Sequence, residues 1–225
     1  MGWAFLFDLD GVLVDTHDIV LSGWRAYAAT QGRVMTDAAL IEQTFGRRTL
    51  DILVDVFDVP RDDAAAMVAA GFDDKSGEVA AAPLREVPGA TRFVRVALSA
   101  GIPCALASSA GPGNIDLALD ALGLVGAFAS IVDGLTVEAG KPAPDPYLAA
   151  AADLGVDPRD CVVFEDTSPG IEAGLAAGAK VVGVASLGRH DLVSGADLVI
   201  DDFTTWTPDR IIREICPAKG GRPVK

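Results

Sequence analysis

Trp3-Ala4-Phe5-Leu6-Phe7-Asp8-Leu9-Asp10-Gly11-Val12 is a short apolar run that ends in two carboxylates and a glycine. A continuous apolar stretch of this length reads as a strand buried on both faces of a parallel sheet. Gly11 lets the backbone turn away where that strand ends. Residues 103–107, 161–164 and 180–184 repeat the pattern, each an apolar run that leads into a helical stretch. Asp145-Pro146, Asp157-Pro158 and Ser168-Pro169 each place a capping residue before a proline, which marks a helix start, and Gly178 marks the stop of the helix begun at Ser168. This is the rhythm of βα units, and the expected fold is α/β, a doubly wound, Rossmann-like parallel sheet.

After Val14 the rhythm changes. Ile19, Trp24 and Tyr27, then Leu40, Ile41 and Phe45, then Leu50, Leu53 and Val54 recur at helical spacing, with no strand-like run among them. The expected organisation is a core from residues 1–13 and 83–216, a helical insertion over 14–82, and a basic tail over 217–225 that is expected to be disordered. Residues 83–89 read as the return linker.

The chain of 225 residues is half hydrophobic, and 18 Lys+Arg against 32 Asp+Glu leave it a formal charge of −14. Such a charge repels nucleic acid and anionic membranes, so neither is an expected partner, and an anionic ligand needs a local positive site. Cys104, Cys161 and Cys216 are odd in number and widely spaced, which suggests free thiols in a reducing, cytoplasmic setting. No basic region precedes the first apolar run, so a signal peptide is not expected, and no stretch approaches the roughly 20 apolar residues of a membrane span.

Asp8 and Asp10 lie two residues apart, roughly 6.6 Å along an extended chain, so a phosphorus atom fits between a nucleophile and an acid. Taken alone, a strand-end turn with water-facing acids is an equally open reading. Three further clusters fall at strand ends, where doubly wound sheets bind ligands. Ser108 and Ser109 end one run, Lys141 stands among prolines before a helix, and Glu165 and Asp166 end another run. Each has a plainer alternative: a helix cap, a solvated lysine, a strand-end acid pair.

In combination these residues resemble the haloacid dehalogenase superfamily, in its phosphatase and phosphomutase branch, over nearly the whole chain. The matching segments are FDLDGVLVDT at 7–16, LASS at 106–109, GKPAPDP at 140–146 and FEDTSPGIEAG at 164–174. The resemblance implies that the insertion is a helical cap, that Asp8 is the nucleophile and that Asp10 is the general acid and base. It makes Ser108, Ser109 and Lys141 ligands of the substrate phosphate. It assigns Mg²⁺ to Asp8, Asp166 and the Asp10 main-chain carbonyl, with Glu165 as either a ligand or the support behind one. Magnesium prefers such oxygen donors.

Arg47 and Arg48, in a turn between cap helices, are the expected cap contacts to substrate, with Lys75 a weaker candidate; exposed helix-end cations are the alternative. His17 follows the first motif and reads as hinge structure or a substrate contact, while His190 receives no role. Many relatives carry a lysine or arginine just beyond the second motif, where this chain has Ala110-Gly111-Pro112-Gly113. A phosphatase of a small phosphorylated metabolite, sugar phosphate or phosphoglycolate-like, is therefore favoured over a sugar phosphomutase. A dehalogenase needs neither the metal acids nor Asp10. A phosphoaspartate-switched regulator is about half this length and lacks the insertion.

Overall fold

The computed structural model describes residues 2–72 and 84–215. Lys75, Cys216, the 217–225 tail and the expected domain boundary at 82/83 lie outside the described residues.

The chain begins with β1 (Ala4–Phe7), followed by the two-residue strand β2 (Val14–Asp15). Among the described residues four helices come next: α1 (His17–Thr30), α2 (Asp37–Thr44), α3 (Thr49–Asp55) and α4 (Arg61–Ala69). After β3 (Arg85–Glu86) the βα rhythm returns with α5 (Ala90–Ser99), β4 (Cys104–Ala107), α6 (Pro112–Leu122), β5 (Ser130–Val132) and α7 (Asp145–Asp153). The chain continues through β6 (Cys161–Glu165), α8 (Ser168–Ala176), β7 (Lys180–Val184), β8 (Leu198–Ile200) and α9 (Pro208–Ile215).

Six of these strands form a parallel sheet in the order β5-β4-β1-β6-β7-β8, with helices packed against it. The α/β, Rossmann-like expectation is met. The first strand is central because every residue of it is buried and can be covered on both sides. Side chains alternate between faces along a strand. Phe5 and Phe7 point to one face, where Phe7 stacks on Phe164 at 4.7 Å and Phe93 and Phe203 complete an aromatic layer. Ala4 and Leu6 point to the other, which is lined by small residues and by Tyr147. The edge strands β5 and β8 carry no signal in the sequence, being three residues each.

The helical insertion has a core of its own, in which Trp24 stacks on Phe57 at 5.7 Å beside Leu21, Leu40, Ile52 and Leu53. Its two connections to the sheet run side by side, since β2 and β3 pair antiparallel with Val14 opposite Glu86 and Asp15 opposite Arg85. The sequence predicts no strand there, because two residues show no alternation.

Three helix starts also differ from expectation. Asp145 is the first residue of α7 rather than its cap, which is Pro144 and makes no side-chain cap bond. Thr167, not Ser168, caps α8, accepting from the Gly170 N–H at 3.3 Å, while the Ser168 hydroxyl donates to the Leu192 carbonyl. Asp157-Pro158 begins only a single 3-10 turn, Pro158–Asp160.

Candidate active site

The site forms where β1 and β6 end. The Asp8 N–H donates to the Phe164 carbonyl at 3.0 Å, which keeps Asp8 in line with its neighbour strand. The chain then folds back tightly. The Leu9 carbonyl accepts from the amides of Val12, Leu13 and Val14, at 3.3, 2.8 and 3.1 Å. Gly11 adopts a left-handed φ of 78°, and a Cβ there would stand 1.8 Å from Asp166 Oδ2. Only glycine meets both demands. This turn delivers Asp10 to the hydroxyl of Thr16, which donates to Asp10 Oδ1 at 2.5 Å.

Lys141 crosses beneath these acids with its side chain buried. Its ammonium donates to Asp8 Oδ1 at 2.7 Å and to Glu165 Oε1 at 2.6 Å. Glu165 is fully buried and its carboxylate is saturated. Tyr147 also donates to Oε1 at 2.6 Å, and Oε2 accepts from the Asp166 and Thr167 amides and the Thr167 hydroxyl. Asp166 is different: its Oδ1 is buried and has no hydrogen-bond partner.

Burial pushes the Asp8 carboxyl up to about 7; Lys141 opposes the shift, while Glu165 and Asp10 reinforce it. Asp166 is raised well above the usual carboxylate range by burial, then by Glu165 and Asp8. For Lys141 burial is the largest single influence and works against its charge. Asp8 and Glu165 together outweigh it, so the ammonium titrates above the ordinary lysine range. One buried ammonium thus serves two crowded carboxylates, Asp8 and Glu165.

That arrangement fits a cation. Asp8, Glu165 and Asp166 each place an oxygen within 4.8 Å of the others. All are hard oxygen donors of the kind magnesium takes. Because both Glu165 oxygens already accept protein donors, Asp8 and the unpartnered Asp166 Oδ1 are the better-suited ligands, and Glu165 is placed to hold Lys141 and the Asp166 backbone.

The other expected site residues divide. Ser108 is buried, and its hydroxyl accepts from the Ala110 N–H at 3.1 Å, closing the loop after β4. Ser109 turns toward the cap and donates to the Gly46 carbonyl at 2.8 Å. Arg47 borders the cleft between cap and core, paired with Asp55 and donating to the Gln43 carbonyl.

Arg48 corrects the expectation of a substrate contact. It is 6% exposed and its fork is filled, by both Asp51 oxygens and by the core carbonyls of Val137 and Glu138 at 2.9 and 3.1 Å. It ties cap to core. His17 borders the cleft, with a buried Nδ1 that has no partner, and burial, then the charge of Arg189, lowers its pKa. His190 faces Asp201 at 3.1 Å in an exposed pair.

Thr16, Tyr147 and Thr167 escape the sequence reading. Thr16 and Thr167 sit inside the quoted segments, where a hydroxyl beside the acids was the available signal. Tyr147 gives none, being one apolar position on a helix. The cleft that joins these parts has a volume of about 100 Å³, and Asp8, Asp10 and Asp166 border it.

A family model described as haloacid dehalogenase-like hydrolase matches residues 4–178. The chain is similar to a bifunctional riboflavin kinase/FMN phosphatase of Arabidopsis thaliana, 35% identical over 211 residues that cover 88% of this chain and 52% of that protein. It thus spans about half of that relative. Hexitol phosphatase A of Escherichia coli K12 is 31% identical, covering 91% of this chain and 93% of its own. Among solved structures, a β-phosphoglucomutase from Clostridium difficile superposes with a TM-score of 0.77 at 25% identity, over 96% of this chain and 97% of that one. No helix among the described residues is long and apolar enough to cross a membrane.

Proposed function

The chain belongs to the haloacid dehalogenase-like hydrolases, and on that footing we propose that it is a magnesium-dependent phosphatase that hydrolyses the phosphate monoester of a small organic alcohol through an aspartyl phosphate on Asp8. Its class is that of phosphoric monoester hydrolases, with relatives named for phosphatase and phosphomutase activities on small phosphorylated metabolites. The observation that carries the proposal is the buried Lys141 ammonium held between Asp8 and Glu165, beside an Asp166 oxygen that has no protein partner.

In this reading Lys141 orients the Asp8 carboxylate, leaving its second oxygen for in-line attack on phosphorus. Asp10, held by Thr16, protonates the departing alkoxide. Asp10 then takes a proton from the water that discharges the phosphoenzyme, a positioned acid/base role worth about 10² to 10⁴ in rate. Lys141 and Ser108 hold phosphate oxygens, and the cap excludes bulk water. A magnesium ion held by Asp8, Asp166 and the Asp10 carbonyl would supply the positive charge that lets an anionic phosphate approach an anionic nucleophile.

Hydrolysis is preferred over phosphoryl transfer to a second substrate hydroxyl. Residues 110–113 (Ala-Gly-Pro-Gly) supply no side-chain donor for a second phosphate, and the Ser109 hydroxyl is given to Gly46. The test is phosphate release from a panel of phosphorylated metabolites with magnesium present, with isomeric products monitored in parallel. Stoichiometric phosphate release is expected. Isomerisation without phosphate release, dependent on a trace of sugar bisphosphate, would replace the phosphatase by a mutase.

A further inference from the structure

The cleft that Asp8, Asp10 and Asp166 border also has a large apolar lining. It is supplied by Ile19, Val20 and Trp24 of α1, Phe45 and Ile52 of the cap, and Leu84 just before β3. The polar side chains set among them are in part committed to protein. Thr44 donates to the Leu40 carbonyl at 2.8 Å, Ser109 to the Gly46 carbonyl at 2.8 Å and Arg47 to the Gln43 carbonyl at 3.2 Å, with Asp55 as its ion pair. His17, Thr49 and Asn114 are the further polar side chains at the cleft, and His17 Nδ1 is buried without a partner.

The occupant of this space is fixed by its position: it is the alcohol half of the ester whose phosphorus sits over Asp8. Each hydroxyl carried out of water into such a wall without a partner costs on the order of tenfold in affinity. Apolar surface placed there gains instead, in proportion to the area removed from water. We infer that the non-transferred part of the substrate is an apolar or aromatic alcohol, presenting few hydroxyls to the cap, rather than a polyhydroxylated sugar. This narrows the phosphatase proposal and rests on it.

The test uses the full chain with magnesium and esters matched in their leaving group: benzyl phosphate and cyclohexylmethyl phosphate against glucose 6-phosphate, all phosphates of primary alcohols. The expected result is a kcat/KM about tenfold or more higher for the two apolar esters. Val20→Asn places an amide in the wall and should narrow that ratio about threefold or more. Leu84→Asn should do the same from the other side, and thermal unfolding of each variant reports whether it is folded. Equal or better turnover of glucose 6-phosphate by the parent protein overturns the inference, as does a ratio that neither folded variant changes. Failure to release phosphate from any ester of the set overturns the phosphatase reading itself, which separates the two failures.

Discussion

Gly170 lies so close beneath Glu165 that a Cβ there would stand 1.9 Å from the carboxylate carbon. Helix α8 can therefore start directly under the buried acid that holds Lys141. Gly170→Ala should displace Glu165, leaving Lys141 and Tyr147 short of a partner. Breaking a buried ion pair in this way is expected to cost about 3 to 5 kcal/mol. Tyr147→Phe removes one donor and leaves the Lys141 contact in place, so about 1.5 to 3 kcal/mol is expected. Urea unfolding of both variants checks the order. A Gly170→Ala protein as stable as the parent would show that Glu165 is free to move.

Arg48 should behave as a clamp. Arg48→Ala removes the bonds to the Val137 and Glu138 carbonyls. Hydrogen exchange should then rise in α3, next to the clamp, while β1 and β6 keep their protection. Gly140→Ala should reproduce the effect from the core side, because a Cβ there would stand 2.4 Å from Arg48 Nε. Arg47→Ala, which alters the cleft wall, is expected to act on KM instead. Unchanged exchange in α3 for both clamp variants would remove Arg48 from this role.

Activity should vanish with a chelator and return with Mg²⁺ but not with Ca²⁺. Calcium takes about 6 to 8 oxygens in loose geometry. Such a shell draws in further carboxylate oxygens and misaligns Asp8. Full phosphate release in excess chelator would contradict the metal assignment.

The central strand, the four motif segments and the helical insertion are legible because each repeats a strong local pattern: apolar runs that end in acids, or apolar residues at helical spacing. The edge strands and the β2–β3 pair are not, since two or three residues carry no periodicity. Asp8, Lys141, Glu165 and Asp166 meet at the strand ends, as a doubly wound sheet requires. Arg48 misled because a guanidinium in a turn looks the same in sequence whether it meets a ligand or a core carbonyl; only the approach of residues 137–138, about ninety positions away, decides. Tyr147 is silent for a related reason: its hydroxyl acquires meaning only when α7 is laid over the end of β6.

The most direct test of the account is the rate of phosphate release by Asp8→Asn. The amide has the shape of the carboxylate and its oxygen can still accept from Lys141, so the protein should fold with a circular dichroism spectrum like the parent's, at a melting temperature lowered by loss of the ion pair, yet lack the nucleophile. Phosphate release indistinguishable from the uncatalysed background is expected for every ester the parent hydrolyses. Turnover by Asp8→Asn at a rate comparable to the parent would contradict this expectation, since no phosphoenzyme could then pass through Asp8.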